Sequence, residues 1–198
     1  MDTKKLNSRT FFVIGGFLAA VLLVGSGVAS MWVGYDGRNE VRDTLRAEKI
    51  YGPDDSTIPG QLVDTGSEAR AQADIMREHQ LKSTNGLTYA EMGRFATPDG
   101  NPAGTNDANL ALKDANGKPV SNAARASWIN ETALTTSLNT AYFAEQVGNF
   151  AIVVGVALVL TGVGFAVLTF GALWQVTAQA KKEKAAEAQA GAGKPAAI

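Results

Sequence analysis

His79 is the only histidine of this 198-residue chain, so a search for chemistry begins with its surroundings. Glu78 precedes it, and Asp74 or Glu91 could complete an oxygen-rich metal site with it. A catalytic zinc ion is bound by three protein ligands at defined spacing, usually with two or three histidines among them. One histidine in a chain without cysteine does not supply that set. We therefore interpret His79 as a solvated residue on a helix surface.

Other arrangements of reactive residues are equally incomplete. Met76 and His79 cannot ligate one haem iron from opposite sides, because residues three apart on a helix face the same way. The G-x-x-x-x-G-K-[ST] phosphate loop does not occur in the sequence, and the absence of cysteine excludes thiolate chemistry and disulfides. Two pairs of acidic residues, Asp54 with Asp55 and Glu40 with Asp43, are explained by a solvated loop or helix surface. We therefore predict a protein that is not an enzyme and that holds no cofactor or metal.

A long apolar run in the C-terminal part organises the rest of the chain. No charged residue occurs between Glu145 and Lys181, and a membrane-spanning helix needs about 20 consecutive apolar residues. The run is apolar all round, whereas a helix on the surface of a soluble protein keeps a polar face. We predict a transmembrane helix over residues 147–174.

A second apolar run lies near the N-terminus, between Arg9 and Asp36. Its basic start and the small residues Gly27-Val28-Ala29 imitate a secretory signal with a cleavage site. The run extends over about 23 residues, however, which is longer than the 7–15 residues of a typical signal core. We predict a retained transmembrane helix over residues 11–34.

The charges that flank the two runs predict the orientation. Lysine and arginine are enriched in short cytoplasmic segments, and both flanks are basic: Lys4, Lys5 and Arg9 before the first run, and Lys181, Lys182 and Lys184 after the second. We expect a multi-pass protein of a bacterial plasma membrane with both termini in the cytoplasm. Residues 36–145 carry 11 basic and 16 acidic side chains, a net charge of −5, and long loops translocate largely regardless of charge.

These observations predict an all-α membrane protein, in which two transmembrane helices flank a mainly helical extracytoplasmic domain. The predicted boundaries are a cytoplasmic N-terminus at 1–10, the first membrane helix at 11–34, the extracytoplasmic domain at 35–146, the second membrane helix at 147–174 and a cytoplasmic tail at 175–198. The extracytoplasmic part has few large apolar side chains for a core of its own. We therefore expect it to pack against something else, which could be a partner subunit.

Two helices are predicted in the first half of the polar segment. Val41 and Leu45 form a thin apolar stripe, which predicts a short, separate helix over residues 38–50. Ser67 is a suitable N-cap for a second helix that extends to about Lys82.

The second half of the polar segment contains a capping box, a loop and the start of a long helix. Thr88 and Glu91 have capping-box spacing for a short helix that ends near Phe95. Residues 97–109 are rich in Gly, Pro, Asn and Asp, and we predict a loop that buries nothing. No proline or glycine interrupts residues 121–147, so the second membrane helix is predicted to extend beyond the lipid as one long helix. The low-complexity tail is expected to start helical, fray and be disordered unless a partner holds it.

Small residues in the two runs predict places where another helix comes close. Spacings of the small-xxx-small type let helix backbones approach closely in lipid, although Gly and Ala are also generally enriched in membrane helices. The pairs are Gly15/Ala19, Gly16/Ala20 and Ala157/Thr161, and the contact could be between the two runs or with a partner. The residues predicted to contact a partner or a helix are Gly16, Ala20, Gly155, Gly162, Gly164, Trp128, Leu134 and Trp174.

The order of these features resembles a known family. A basic start and one span are followed by Glu40-Val41-Arg42-Asp43-Thr44-Leu45, by Thr88-Tyr89-Ala90-Glu91 and by a long helix into a second span. This order resembles a group of actinobacterial two-span membrane proteins often labelled aromatic ring-opening dioxygenases. It is also similar to the association factor, an accessory subunit of the mycobacterial cytochrome bcc–aa3 respiratory supercomplex. The resemblance covers most of the chain from Lys4 to Trp174.

The resemblance implies an accessory subunit without a cofactor of its own. The dioxygenase label does not fit the chemistry, because a non-haem iron site of this kind needs two histidines and a carboxylate. The implied partners are subunits of a larger membrane complex of the respiratory chain, together with lipids. Neither a nucleic acid nor a small-molecule substrate is expected.

Three functions remain open from the sequence. The first is a non-catalytic accessory subunit that stabilises the assembly of a membrane respiratory complex through its two helices and its outer domain. The second is a sensor or receptor module, because span–outer domain–span is the layout of bacterial input modules. The 24 residues after Trp174 are too few for a signalling domain, which weakens this alternative. The third is an enzyme with an outer active site, and the missing constellations described above make it the least favoured.

Overall fold

A computed structural model describes residues 8–192 of the chain. Three α-helices and one 3₁₀ turn make up its regular structure: α1 Ser8–Glu48, α2 Gly66–Ser83, the turn Tyr89–Glu91 and α3 Ala123–Ala192. Isolated β-bridges occur, but no strand is present within residues 8–192. The mainly helical fold is therefore confirmed. Residues 1–7 of the predicted cytoplasmic N-terminus and residues 193–198 of the predicted tail lie outside the described residues.

The chain divides into two compact units, which are described separately. The apolar unit combines Met1–Gly34 with Phe150–Ile198, and the polar unit is Tyr35–Asn149. Each contains part of α1 and part of α3. The most apolar 18-residue windows of these helices have mean hydropathies of 2.3 and 2.6, and only 11% of each window is buried. Both helices are thus long and apolar enough to cross a membrane.

Helix α1 has no break where the sequence predicted one. The separate helix expected over residues 38–50 is the C-terminal part of α1, which continues to Glu48. A single helical glycine costs only about 1 kcal/mol, so Gly37 is tolerated where Val41 and Leu45 pack into the polar unit. The helix ends at Lys49, whose positive φ of 52° stops it.

Helix α2 is confirmed, but its N-cap lies two residues earlier than predicted. Thr65, rather than Ser67, is the N-cap: its hydroxyl accepts from the Glu68 amide at 3.3 Å. The Glu68 carboxylate accepts from the Thr65 amide at 2.9 Å, which completes a capping box. Asp64 next to this cap pairs with Arg46 of α1 at 2.7 Å. This ion pair therefore links the start of α2 to α1.

The capping box at Thr88 is present, but the helix that it opens is much shorter than predicted. The carboxylate of Glu91 accepts from the amide of Thr88 at 2.8 Å and from its hydroxyl at 2.7 Å. These bonds lower the pKa of Glu91 below its ordinary value. Only the 3₁₀ turn Tyr89–Glu91 follows. The prediction of a helix to Phe95 was wrong, because Phe95 instead forms bridges with Thr105 and Ser121.

Residues 97–109 form the predicted loop and contain no fully buried residue. Backbone hydrogen bonds nevertheless tie it down: Phe95 and Thr105 exchange two, each of 2.9 Å. Buried Asn122 closes the segment, since its side-chain amide donates to the carbonyl oxygens of Gly93 at 3.0 Å and Pro102 at 2.9 Å. Its side-chain oxygen accepts from the amide of Ala124 at 3.1 Å and so caps the start of α3.

Helix α3 is uninterrupted from Ala123 to Ala192, as the absence of proline and glycine over residues 121–147 predicted. It also continues past Lys184, where the sequence predicted a disordered tail. The alanine-rich composition explains the difference, because alanine has the highest helix propensity.

The core of the polar unit is small, as its composition predicted. It consists of Leu45, Val63, Ala69, Ala73 and Leu138, contributed by α1, the segment before α2, α2 itself and α3. Two of the five are alanines, which let α2 approach its neighbours closely but bury little apolar area. Capping boxes and loop hydrogen bonds therefore contribute a large part of the specificity of this unit.

Replacing Asn122 with alanine is expected to destabilise the polar unit by about 2–4 kcal/mol, since two carbonyl groups and a helix cap lose their partner. The exposed Asn130 of α3 provides the control, because Asn130→Ala removes the same side chain from a solvated helix position. Hydrogen exchange of the full chain in detergent measures the effect. The amides of Phe95 and Thr105 should lose protection in Asn122→Ala only; equal protection in both variants would contradict the role of Asn122.

Candidate functional site

The residues that the sequence offered for a metal site do not come together. His79 Nε2 lies 2.7 Å from a carboxylate oxygen of Asp55, and this contact lowers the pKa of Asp55 through hydrogen bonding and charge. Both side chains are exposed. Glu78 instead pairs with Lys82 at 2.7 Å on the same helix face, which raises the pKa of Lys82.

The other candidate ligands have different partners as well. Asp74 pairs with Arg70 at 3.3 Å, and Glu91 is used by its capping box. Within residues 8–192, no group of three His, Asp or Glu side chains is placed to hold a metal ion. The titratable groups described so far thus serve helix caps and surface ion pairs.

The organised feature of the apolar unit is the contact between its two helix segments. A Cβ atom added at Gly27 would lie 2.6 Å from the carbonyl oxygen of Gly155, and one added at Gly155 would lie 2.6 Å from that of Gly27. Real Cβ atoms do not approach backbone that closely, so only glycine fits on either side. Both glycines are buried. The two backbones therefore touch at this point.

Further contacts above and below this point have the order of an antiparallel pair. Gly162 faces the carbonyl oxygen of Ala20, where an added Cβ would lie 3.0 Å from it. Gly16 faces the hydroxyl of Thr169, and Ser30 donates to the carbonyl oxygen of Ala151 at 2.8 Å. Residue numbers rise along α1 as they fall along α3. Four of the predicted contacts, Gly16, Ala20, Gly155 and Gly162, lie in this interface.

Gly27, Ser30 and Thr169 are among the interface residues that the sequence analysis did not select. The signal that could have found two of them is a spacing of seven, from Ala20 to Gly27 in α1 and from Gly155 through Gly162 to Thr169 in α3. A seven-residue period keeps one face toward an antiparallel or parallel partner helix over several turns. Spacing of four selected Gly16/Ala20, which lies on this face, but also Gly15/Ala19 and Ala157/Thr161, of which Gly15, Ala157 and Thr161 lie off it.

The remaining small residues do not contribute to the helix pair. No atom comes within 4 Å of a Cβ built at Gly164 or Gly15, and Ala157 and Thr161 are exposed. Gly164 therefore contacts no other helix in the described part of this chain. Its predicted contact with a partner remains a prediction.

The three larger predicted contact residues have different surroundings. Trp128 is 2% exposed, and its indole N–H donates to the carbonyl oxygen of Leu87 at 3.0 Å. It is thus an internal anchor of the polar unit in this chain. Leu134 is 54% exposed and Trp174 is 78% exposed, so both are accessible to a partner or to lipid.

Large apolar side chains cover the outward faces of both helix segments. Well-exposed examples are Phe12, Leu22, Trp32, Leu160, Leu168 and Phe170. Exposed apolar surface of this extent marks a membrane or protein contact. The pairing of small faces therefore turns the large side chains outward, toward whatever surrounds the apolar unit.

The polar unit contains one large groove of about 890 Å³. One wall is the part of α1 from Gly37 to Glu48, and the other is the part of α3 from Leu134 to Ala144. Val41, Leu45, Met76, Leu138 and Ala141 make it predominantly apolar. Its volume falls within the range of ligand pockets.

Comparison with known protein families, with curated proteins and with solved structures finds no match to this chain.

Replacing Gly155 with leucine is expected to separate the helix pair, because the new side chain would meet Met31 and the backbone of Gly27. The cost expected of such overpacking is about 1–3 kcal/mol. Gly164→Leu is the matched control, since it makes the same change in the same helix where space is open. Thermal unfolding of the purified chain in mild detergent should show a lower midpoint for Gly155→Leu alone. A similar loss in both variants would mean that helix propensity, and not the contact, determines stability.

Proposed function

We propose that the protein is a non-catalytic accessory subunit of a larger membrane complex. Its two apolar helix segments cross the membrane, both termini are cytoplasmic, and the polar unit is an extracytoplasmic domain. The resemblance described above implies a complex of the respiratory chain. The subunit stabilises the assembly of that complex and carries no reaction of its own.

The outward apolar faces of the helix pair are the observation that carries this proposal. The two segments already pack against each other through the backbones of Gly27 and Gly155. Large side chains such as Leu22 and Leu160 nevertheless remain 68% and 67% exposed. A simple anchor needs only one span. A preformed pair with a continuous apolar exterior is suited to docking at the edge of other membrane helices, where close packing stabilises association.

The polar unit supports the same function because its charged side chains form ion pairs and helix caps. Arg46, Asp64 and Glu68 connect helices and caps, and His79 pairs with Asp55 at the surface. Perturbed titratable groups that converge in a cleft would favour an enzyme. The titratable groups described here instead lie apart from one another, in ion pairs and helix caps.

A sensor module is the second candidate. The continuity of α1 and α3 from apolar segments into the polar unit favours it, because continuous helices are the elements through which a span could transmit a shift. A sensor would change conformation with a ligand, whereas an accessory subunit would remain with its complex.

Extraction of native membranes with mild detergent, followed by purification through a tag on the full chain, tests the proposal. We expect stoichiometric recovery with subunits of a respiratory complex, because the exposed apolar faces are covered in the assembly. The same tag on an unrelated two-span protein of the same membrane is the control. Recovery of the chain as an isolated monomer would overturn the proposal.

A further inference from the structure

The groove of the polar unit is built mainly from two regular helix faces, and Ile50 and Met76 complete its lining. On α1 its lining residues recur at helical spacing, namely Gly37, Glu40, Val41, Thr44, Leu45 and Glu48. On α3 the corresponding residues are Leu134, Ser137, Leu138, Ala141 and Ala144, with Thr140 at the rim. Each set follows one face of its helix. The groove is therefore the trough between two packed helices.

The dimensions of this trough match a third helix. Its α1 wall extends from Gly37 to Glu48, which at 1.5 Å per residue is about 17 Å, or three helical turns. A volume of about 890 Å³ is of the order needed to seat one face of such a helix. Amphipathic helices lay their apolar face into grooves of this kind through residues at i, i+3, i+4 and i+7.

The charge of the groove restricts the occupant. Glu40 and Glu48 lie on the same wall with Thr44 between them, and no lining residue is basic. Neither glutamate forms an ion pair with another described residue. Arg42 and Arg46 of the same helix instead pair with Asp64, at 3.7 Å and 2.7 Å. Glu40 and Glu48 thus make the groove side of α1 acidic, while Arg42 and Arg46 are paired elsewhere.

The opposite wall, on α3, has hydroxyl groups that need no hydrogen-bond acceptor from an occupant. The Ser137 hydroxyl donates to the carbonyl oxygen of Ala133 at 3.0 Å, and the Thr140 hydroxyl donates to that of Thr136 at 2.8 Å. Both donors are satisfied within α3. The wall can therefore be covered by apolar side chains without leaving a buried donor unpaired.

We propose that this groove binds an amphipathic helix of a neighbouring subunit, whose Lys or Arg residues, seven or eight positions apart, face Glu40 and Glu48. This inference rests on the proposed function and assigns the docking surface of the extracytoplasmic domain. Two acidic residues at the rim disfavour an anionic phospholipid. A second copy of this chain, docked groove to groove, would bring the same glutamates together, and like charges placed opposite each other oppose association.

A photo-crosslinking amino acid at Thr44 of the full chain, in native membranes, tests the occupant. The expected adduct is a helical peptide of another subunit with an apolar stripe and two basic residues seven or eight positions apart. The same crosslinker at Asp43 is the control, because Asp43 is exposed and lies outside the groove. An adduct with lipid, an adduct with a second copy, no adduct, or the same adduct from both positions would overturn the proposal.

Reversing the charges of Glu40 and Glu48 tests whether they attract the basic residues of the partner helix. The pair Glu40→Lys with Glu48→Lys should lower the yield of the Thr44 adduct by at least about tenfold, since two attractive contacts become repulsive. Acidic substitution of the two basic residues in the crosslinked peptide should restore it. The pair Asp36→Lys with Asp43→Lys changes the same charge on exposed positions of α1 outside the groove and should leave the yield unchanged. An equal loss from both pairs would overturn the proposal.

Co-purification separates the two proposals. The unaltered chain could still purify with its complex while the crosslinker at Thr44 gives no adduct with a basic helix of another subunit. In that case the groove assignment fails and the accessory function stands. If the unaltered chain purifies alone, the accessory function fails, and the groove assignment fails with it.

Discussion

The contact of the Gly27 and Gly155 backbones is the constraint on which the apolar unit depends. Each glycine leaves room for the carbonyl group of the other, and any Cβ at either position would lie 2.6 Å from an oxygen. Two helices that cross lipid gain little hydrophobic stabilisation from coming together, so close packing is the interaction that stabilises such a pair. Ala20, Gly162 and Thr169 extend the same contact at intervals of seven. Because the small face is used internally, the bulky apolar side chains are left for the surroundings.

The polar unit is held together by a different balance of interactions. The central cluster of its core has five buried residues, two of them alanine, and about 0.8 kcal/mol per buried methylene does not make such a cluster strong. Asn122 compensates by joining a loop and a helix start through one side chain. Asp64 and Glu68 join α1 to the start of α2 in a similar way. The groove remains beside this core as an apolar surface with an acidic rim, which is why we assign it to a partner.

The sequence predicts helices and apolar segments well here because charge and periodicity determine them locally. The absence of charge after Glu145 and the absence of helix breakers over residues 121–147 were sufficient for α3. The separate helix expected over residues 38–50 was wrong, because packing of Val41 and Leu45 compensates for the weak helix preference of Gly37. The role of Gly27 shows in the sequence only as a spacing of seven from Ala20. The role of Asn122 could not be read from its own neighbours, since it depends on residues distant in the chain. The groove is invisible for the same reason: its walls are about 90 residues apart in sequence.

The helix pair can be tested most directly by a distance measurement in a lipid bilayer. The chain has no cysteine, so spin labels attach only at introduced cysteines, and the exposed positions Leu22→Cys and Leu160→Cys lie on the two segments without disturbing the glycine face. Pulsed electron paramagnetic resonance of the doubly labelled chain should give one narrow distance distribution, because Gly27 and Gly155 fix the two backbones against each other. A broad distribution that extends to widely separated labels would contradict a preformed pair.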